Sequence, residues 1–243
     1  MEAFLLSGAA GTLTLGGGLL ALRLQAYRAY IFAFCGGALI AAALFEILPE
    51  ALELLGSVES GFDAGDLLLA CGLGYFAFYV IDHIAHGGHV HHGAAHEDTH
   101  QAGLWGALGL GLHSFFDGFA IGQGFQAGHS LGWAIALGVT LHKLADGISV
   151  AGIMLGTQHS LRATRAMVYL VAAAPIAGFF AQSFVALGSA VLALLLGWFA
   201  GIFVYLGASS LLPAAHETSR SRLLMVATLA GAAFILAAQW LSH

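Results

Sequence analysis

The sequence predicts an all-α integral membrane protein with eight transmembrane helices, formed as a single polytopic domain over residues 1–243. Its composition is 59% hydrophobic and 8% charged, whereas soluble domains carry about 25% charged residues. The 34 glycines suit helices in lipid, where small residues let neighbouring backbones approach closely. The apolar residues form continuous stretches rather than alternating with polar ones, which favours helices over a transmembrane barrel.

The eight apolar stretches account for almost the whole chain and leave no room for a soluble domain. Each has the roughly 20 residues that a helix needs to cross a bilayer. They lie at about 3–22, 29–55, 67–86, 102–125, 131–155, 165–187, 189–212 and 222–241.

The arginines between the spans predict the orientation of the chain. They follow the first, fifth and seventh spans, as Arg23, Arg28, Arg162, Arg165, Arg220 and Arg222. With eight spans these three loops share one side, which the positive-inside rule assigns to the cytoplasm. We therefore expect a multi-pass protein of the cell membrane with both termini on the non-cytoplasmic side. The net charge of −6 argues against nucleic acid as a partner.

Two copies of the pattern H-x-x-x-D-G lie near the centres of the fourth and fifth spans. They are His113 with Asp117, and His142 with Asp146. Spacing of i to i+4 places the imidazole and the carboxylate on one face of each helix. Ionisable groups at this depth are costly and by default mark a functional site. Two such faces turned together offer two nitrogens and two carboxylates, a set that suits a divalent transition-metal ion, with Zn²⁺ the first choice.

The second span adds an acidic stripe to this predicted metal site. Glu46, Glu50 and Glu53 lie at i, i+4 and i+7, and Glu46 is the deepest of them. A carboxylate at that depth needs a partner, which a passing cation provides. Glu46 therefore joins the two His–Asp pairs as a fifth predicted ligand.

Other candidate ligands lie at the predicted cytoplasmic ends of the third and seventh spans. We expect them to form an accessory or exit metal site; they are Asp82, His83, His86, His216 and Glu217. A histidine-rich cytoplasmic loop at about 87–101 follows the third span, and its imidazoles suit the collection or sensing of metal. A hydrated linker that binds metal only incidentally is the alternative for this loop.

Two other classes of protein compete with a metal transporter. His113 and His142 are also a possible pair of axial ligands for haem in a membrane electron-transfer protein. The carboxylate one turn from each histidine would crowd such a macrocycle. The patterns H-E-x-x-H and G-x-S-x-G each occur once, at 96–100 in the histidine-rich loop and at 128–132 where the fourth span connects to the fifth. We do not expect an enzyme. Imidazole and carboxylate ligands without thiolates also accept Fe²⁺, Mn²⁺, Co²⁺ or Cd²⁺, so they do not fix the metal.

In order and at these depths, the motifs resemble those of the ZIP family of metal transporters along the whole chain. His113–Gly122 looks like the motif of the family's fourth span and His142–Gly147 like that of the fifth. Phe45–Glu50 is similar to the second-span pattern, with Glu46 where many members have histidine, and Leu211–Glu217 resembles the end of the seventh. The resemblance implies inverted three-helix repeats flanking two central metal-binding helices. It also implies a homodimer that imports Zn²⁺ by alternating access, as an elevator-like slide of the metal-bearing helices.

The sequence departs from the binuclear members of that family at three positions. Those members carry an oxygen ligand after each motif histidine and a glutamate before the sixth-span proline. Here the residues are Ser114, Lys143 and Ala174. The comparison predicts one central ion, with the Lys143 ammonium in place of a second ion and paired with Asp117 or Asp146.

Overall fold

The computed structural model describes residues 1–56, 61–85, 98–185 and 187–242. Over these residues the chain forms eight long helices and no strand. Their bounds are α1 Glu2–Arg23, α2 Gln25–Gly56, α3 Ala64–Ala85, α4 Asp98–Ala127, α5 His129–Gly156, α6 Leu161–Ala181, α7 Ser189–Thr218 and α8 Leu223–Ser242. The all-α prediction is confirmed.

The helices match the predicted spans closely. By length and composition, seven helices within the described residues are able to cross a membrane. The other, α5, has 28 residues and is about 42 Å long at 1.5 Å per residue. The sixth span differs most from its prediction of 165–187, because α6 begins at Leu161 and ends at Ala181. Ser160 caps its start, since its Oγ accepts a hydrogen bond from the Ala163 N–H at 3.2 Å.

The helices form two bundles of four. The site bundle consists of α1, α4, α5 and α6, and the companion bundle of α2, α3, α7 and α8. Glycines bring helices of one bundle into backbone contact: a Cβ at Gly17 would collide with the carbonyl oxygen of Leu144, and one at Gly37 with that of Thr228. Such close crossings are typical of helices that associate in lipid.

The same pairs of packed helices occur in both halves of the chain, as expected for inverted three-helix repeats. α1 packs along α5 as α6 packs along α4, and α2 packs along α8 as α7 packs along α3. Both α2 and α7 contain a six-residue π-helical segment, Ala42–Ile47 and Leu206–Leu211, directly before a Leu-Pro pair. Helices α1–α3 and α6–α8 thus form equivalent halves around α4 and α5. Equivalent helices are five positions apart in chain order, which is an odd number, so the two halves cross the membrane in opposite directions. The implied fold is confirmed.

Candidate metal centre

The two His–Asp pairs face each other at the centre of the site bundle. One ligand atom from each of His113, Asp117, His142 and Asp146 lies within 4.8 Å of all the others, and all four residues are buried. His113 Nε2 is 3.4 Å from Asp117 Oδ2. His142 Nε2 is 3.9 Å from Asp117 Oδ2 and from Asp146 Oδ2. The i, i+4 spacing places each pair on one helix face, and the packing of α4 against α5 turns the two faces together.

Two imidazole nitrogens of this cluster have no hydrogen-bond partner among the residues that the structure describes. They are His113 Nδ1 and His142 Nε2, and both are buried. A buried polar atom without a partner costs free energy, so such atoms are rare outside functional sites. The rings of Phe199 and Phe203 pack against His113, with centroids 5.9 and 4.8 Å away. The cluster thus combines imidazole nitrogens that make no hydrogen bond within the described residues with a surrounding from which water is largely excluded.

Lys143 contacts the carboxylates of both aspartates in the candidate ligand cluster. Its side chain is fully buried, and its Nζ donates hydrogen bonds to Asp117 Oδ2, to Asp146 Oδ2 at 2.7 Å and to Ser114 Oγ at 3.0 Å. The sequence predicted that Lys143 pairs with Asp117 or Asp146, and in the structure it pairs with both. Because the ammonium contacts the carboxylate oxygens that also face the histidines, it lies directly beside the four-residue cluster.

Glu46 reaches the cluster from the other bundle. It lies in the π-helical segment of α2, and its Oε1 forms a hydrogen bond with His142 Nδ1. It is outside the group of four residues whose ligand atoms lie together. Among the described residues, Glu46 therefore contacts the candidate site through His142. Glu50 and Glu53, further along α2, are exposed.

The structure separates the residues of the predicted exit site. Asp82 and Glu217 line one cavity of about 330 Å³ between the ends of α3, α4, α5 and α7. His83 instead stacks on Tyr79, with ring centroids 5.9 Å apart, and His216 Nδ1 is 2.8 Å from the carbonyl oxygen of Leu212. His86 and most of the histidine-rich loop lie outside the described residues, and α4 begins within that loop, at Asp98.

Sequence reasoning missed the tyrosines that accompany Asp82. The Tyr205 hydroxyl donates a hydrogen bond to Asp82 Oδ2 at 2.5 Å, and the Tyr75 hydroxyl is 3.3 Å from Ser209 Oγ. The available signal was the position of Tyr205 within an apolar span, where a hydroxyl requires a partner. Nothing in the local sequence links it to Asp82, which lies 123 positions earlier.

The fold and the site together define a polytopic membrane protein with a buried cluster of histidines and aspartates, which could hold a metal ion, between helices of one bundle. A family model described as ZIP zinc transporter matches residues 102–239. The match covers more than half of the chain and includes both His–Asp motifs, so the chain belongs to the ZIP family. Membership makes it a transporter of divalent metal ions. No curated protein matches the chain.

Proposed function

We propose that the protein imports a divalent transition-metal ion, Zn²⁺ in the first place, through one central site. The observation that carries the proposal is the buried cluster of His113, Asp117, His142 and Asp146. Two imidazoles and two carboxylates match the nitrogen and oxygen ligands and the coordination number that Zn²⁺ prefers. Fe²⁺, Mn²⁺, Co²⁺ and Cd²⁺ accept the same ligands and are the expected competitors.

Charge balance supports a single divalent ion. The two aspartates supply two negative charges, of which the Lys143 ammonium balances one in the metal-free protein. The Glu46 carboxylate, which contacts His142, adds a third negative charge. One divalent ion would therefore bring the group to a net charge of zero with the ammonium present, and Ser114 adds no further carboxylate. A second ion would raise this charge to +2 inside a low-dielectric interior, which is strongly unfavourable.

The cavity lined by Asp82 and Glu217 supports a path for the ion between the central site and the cytoplasmic side. It lies at the ends of α3, α5 and α7, the side to which the arginines assign the cytoplasm. Phe203, which packs on His113, and Leu206, which lines the cavity, both lie on α7. We propose that the ion leaves along this helix, past the hydroxyls of Ser209 and Ser210. His83 and His216, which do not line the cavity, and His86, which lies outside the described residues, are proposed as accessory ligands.

Packing between the bundles supports a slide of the site bundle against the companion bundle. Within the site bundle, a Cβ at Gly147 or Gly118 would collide with a backbone carbonyl oxygen. Between the bundles the glycines face side chains instead: a Cβ at Gly109 would lie 3.8 Å from Ile202 Cγ2, and one at Gly152 3.3 Å from Cys35 Sγ. Side chains can change rotamer, whereas two backbones in contact cannot move apart without shifting their helices. The interface between the bundles therefore resists sliding less than the helix contacts within the site bundle do. Alternating access in an elevator-like manner, in a homodimer of the cell membrane with outward termini, completes the proposal.

Zinc uptake into proteoliposomes tests the site. His113→Ala and Asp146→Ala should abolish saturable uptake while the purified variants still elute as folded protein. His129→Ala is the matched control, because this histidine is 72% exposed at the start of α5 and pairs with Glu2. A panel of competing divalent ions then ranks the metals, and vesicles sorted by protein orientation report the direction. Wild-type uptake by both site variants would refute the proposed site.

A further inference from the structure

The contact between Glu46 and His142 joins the two bundles at the candidate site. Glu46 belongs to α2 of the companion bundle, and His142 belongs to α5 of the site bundle. The Glu46 side chain is 15% exposed and that of His142 is 7% exposed, so water competes little for this hydrogen bond. A π-helical segment carries Glu46, and such segments are frequent at functional sites.

The chemistry of this contact determines which nitrogen of His142 is free. An ionised carboxylate has no proton to give, so it accepts the hydrogen bond and His142 Nδ1 carries the proton. In a neutral imidazole the lone pair then lies on Nε2. Within the described part of the chain that atom has no hydrogen-bond partner, and it lies 3.9 Å from Oδ2 of each aspartate. Glu46 thereby selects the tautomer whose lone pair faces the cluster.

We infer that Glu46 is a positioning residue for metal binding and not a metal ligand. It fixes the ring orientation and the tautomer of His142 from the opposite bundle, and the ion binds His142 Nε2. A carboxylate on the far nitrogen of a ligating histidine also raises the basicity of the nitrogen that binds the metal. This inference rests on the proposed function and revises the sequence-based assignment of Glu46 as a fifth ligand.

Co²⁺ is a suitable probe, because its visible absorption reports coordination number while it accepts the ligands that Zn²⁺ accepts. Glu46→Gln keeps an oxygen acceptor for Nδ1 without its charge, and Glu46→Leu removes the acceptor. Both variants should bind one Co²⁺ per chain with the band intensities of the wild type. The Kd for Co²⁺ and the KM for uptake should rise in the order wild type, glutamine, leucine, by about 10- to 100-fold for leucine. The maximal uptake rate should change less than KM.

Glu53→Gln is the matched control, since Glu53 lies on the same helix and is exposed. It should leave the Kd, the KM and the spectrum unchanged. A change of coordination number in Glu46→Gln, seen as altered band intensity and confirmed by X-ray absorption, would make Glu46 a ligand and overturn the inference. An unchanged Kd in Glu46→Leu would overturn it as well.

His142→Ala separates failure of the inference from failure of the proposed function. If this variant binds Co²⁺ as the wild type does, the proposed site itself is wrong. If it loses binding while Glu46→Leu keeps the wild-type Kd, the site stands and only the positioning role of Glu46 is refuted.

Discussion

Replacing Lys143 with methionine removes the cation that the two site aspartates hold in the metal-free protein. Methionine has a similar length and no charge, so it fills the same space and leaves Asp117 and Asp146 facing each other. Lys143 Nζ lies 2.7 Å from Asp146 Oδ2 and also contacts Asp117 Oδ2, with a side chain that is fully buried. The variant therefore tests whether the ammonium and the metal ion use the same carboxylate oxygens.

The expected cost follows from the burial of the ion pairs. Removing one partner of a buried pair costs about 3–5 kcal/mol, because the other charge stays buried without compensation. At about 2–4 °C per kcal/mol for a chain of this size, the Tm of the metal-free variant should fall by roughly 6–20 °C. Metal binding should reverse the loss, since a divalent ion supplies positive charge to the same oxygens and no longer competes with the ammonium. The variant should thus bind metal more tightly than the wild type.

Thermal unfolding in detergent, with a chelator and with saturating Zn²⁺, measures both effects. The Zn²⁺-dependent rise in Tm should be larger for Lys143→Met than for the wild type, as expected for a ligand that binds only the folded state. Arg162→Met is the control, because it removes one positive charge from an exposed position at the start of α6. Equal Tm values for the metal-free variant and wild type, or weaker Zn²⁺ binding by the variant, would refute the reasoning.

Four further outcomes are expected. Affinity for Zn²⁺ should weaken as the pH is lowered, because protons compete with the metal for the imidazole nitrogens and only the neutral form binds metal; a flat calorimetric curve would count against histidine ligands. Lys143→Asp with Ser114→Asn should create a second ion site, visible as two anomalous-scattering peaks per chain where the wild type shows one. Gly147→Ala should lower the Tm more than Gly109→Ala, because the first Cβ meets the carbonyl oxygen of Thr14 and the second meets no atom closer than 3.8 Å. Serine in place of the loop histidines should change metal binding at the cytoplasmic side but retain uptake, and complete loss of uptake at normal expression would contradict this; the positions are His89, His91, His92, His96 and His100.

Much of the fold was predictable because its signals are local. A continuous apolar stretch of about 20 residues specifies a membrane helix without reference to any other part of the chain. The errors lie at helix ends, as in α6, where the Ser160 cap starts the helix four residues before the predicted span. The repeat of the two halves was not visible in the sequence. It became apparent in the packing partners and in the π-helical segments before Leu48-Pro49 and Leu212-Pro213.

The sequence by itself determined that each His–Asp pair shares a helix face, since i, i+4 spacing is a property of one helix. Only the tertiary structure decided how the groups on different helices meet. It places Lys143 on both aspartates, Glu46 on His142 Nδ1 and Tyr205 on Asp82. Glu46 and His142 are 96 residues apart, and their contact depends on the rotation and axial offset of α2 against α5. Those quantities are set by packing between helices, which the spacing of residues along a single helix does not encode.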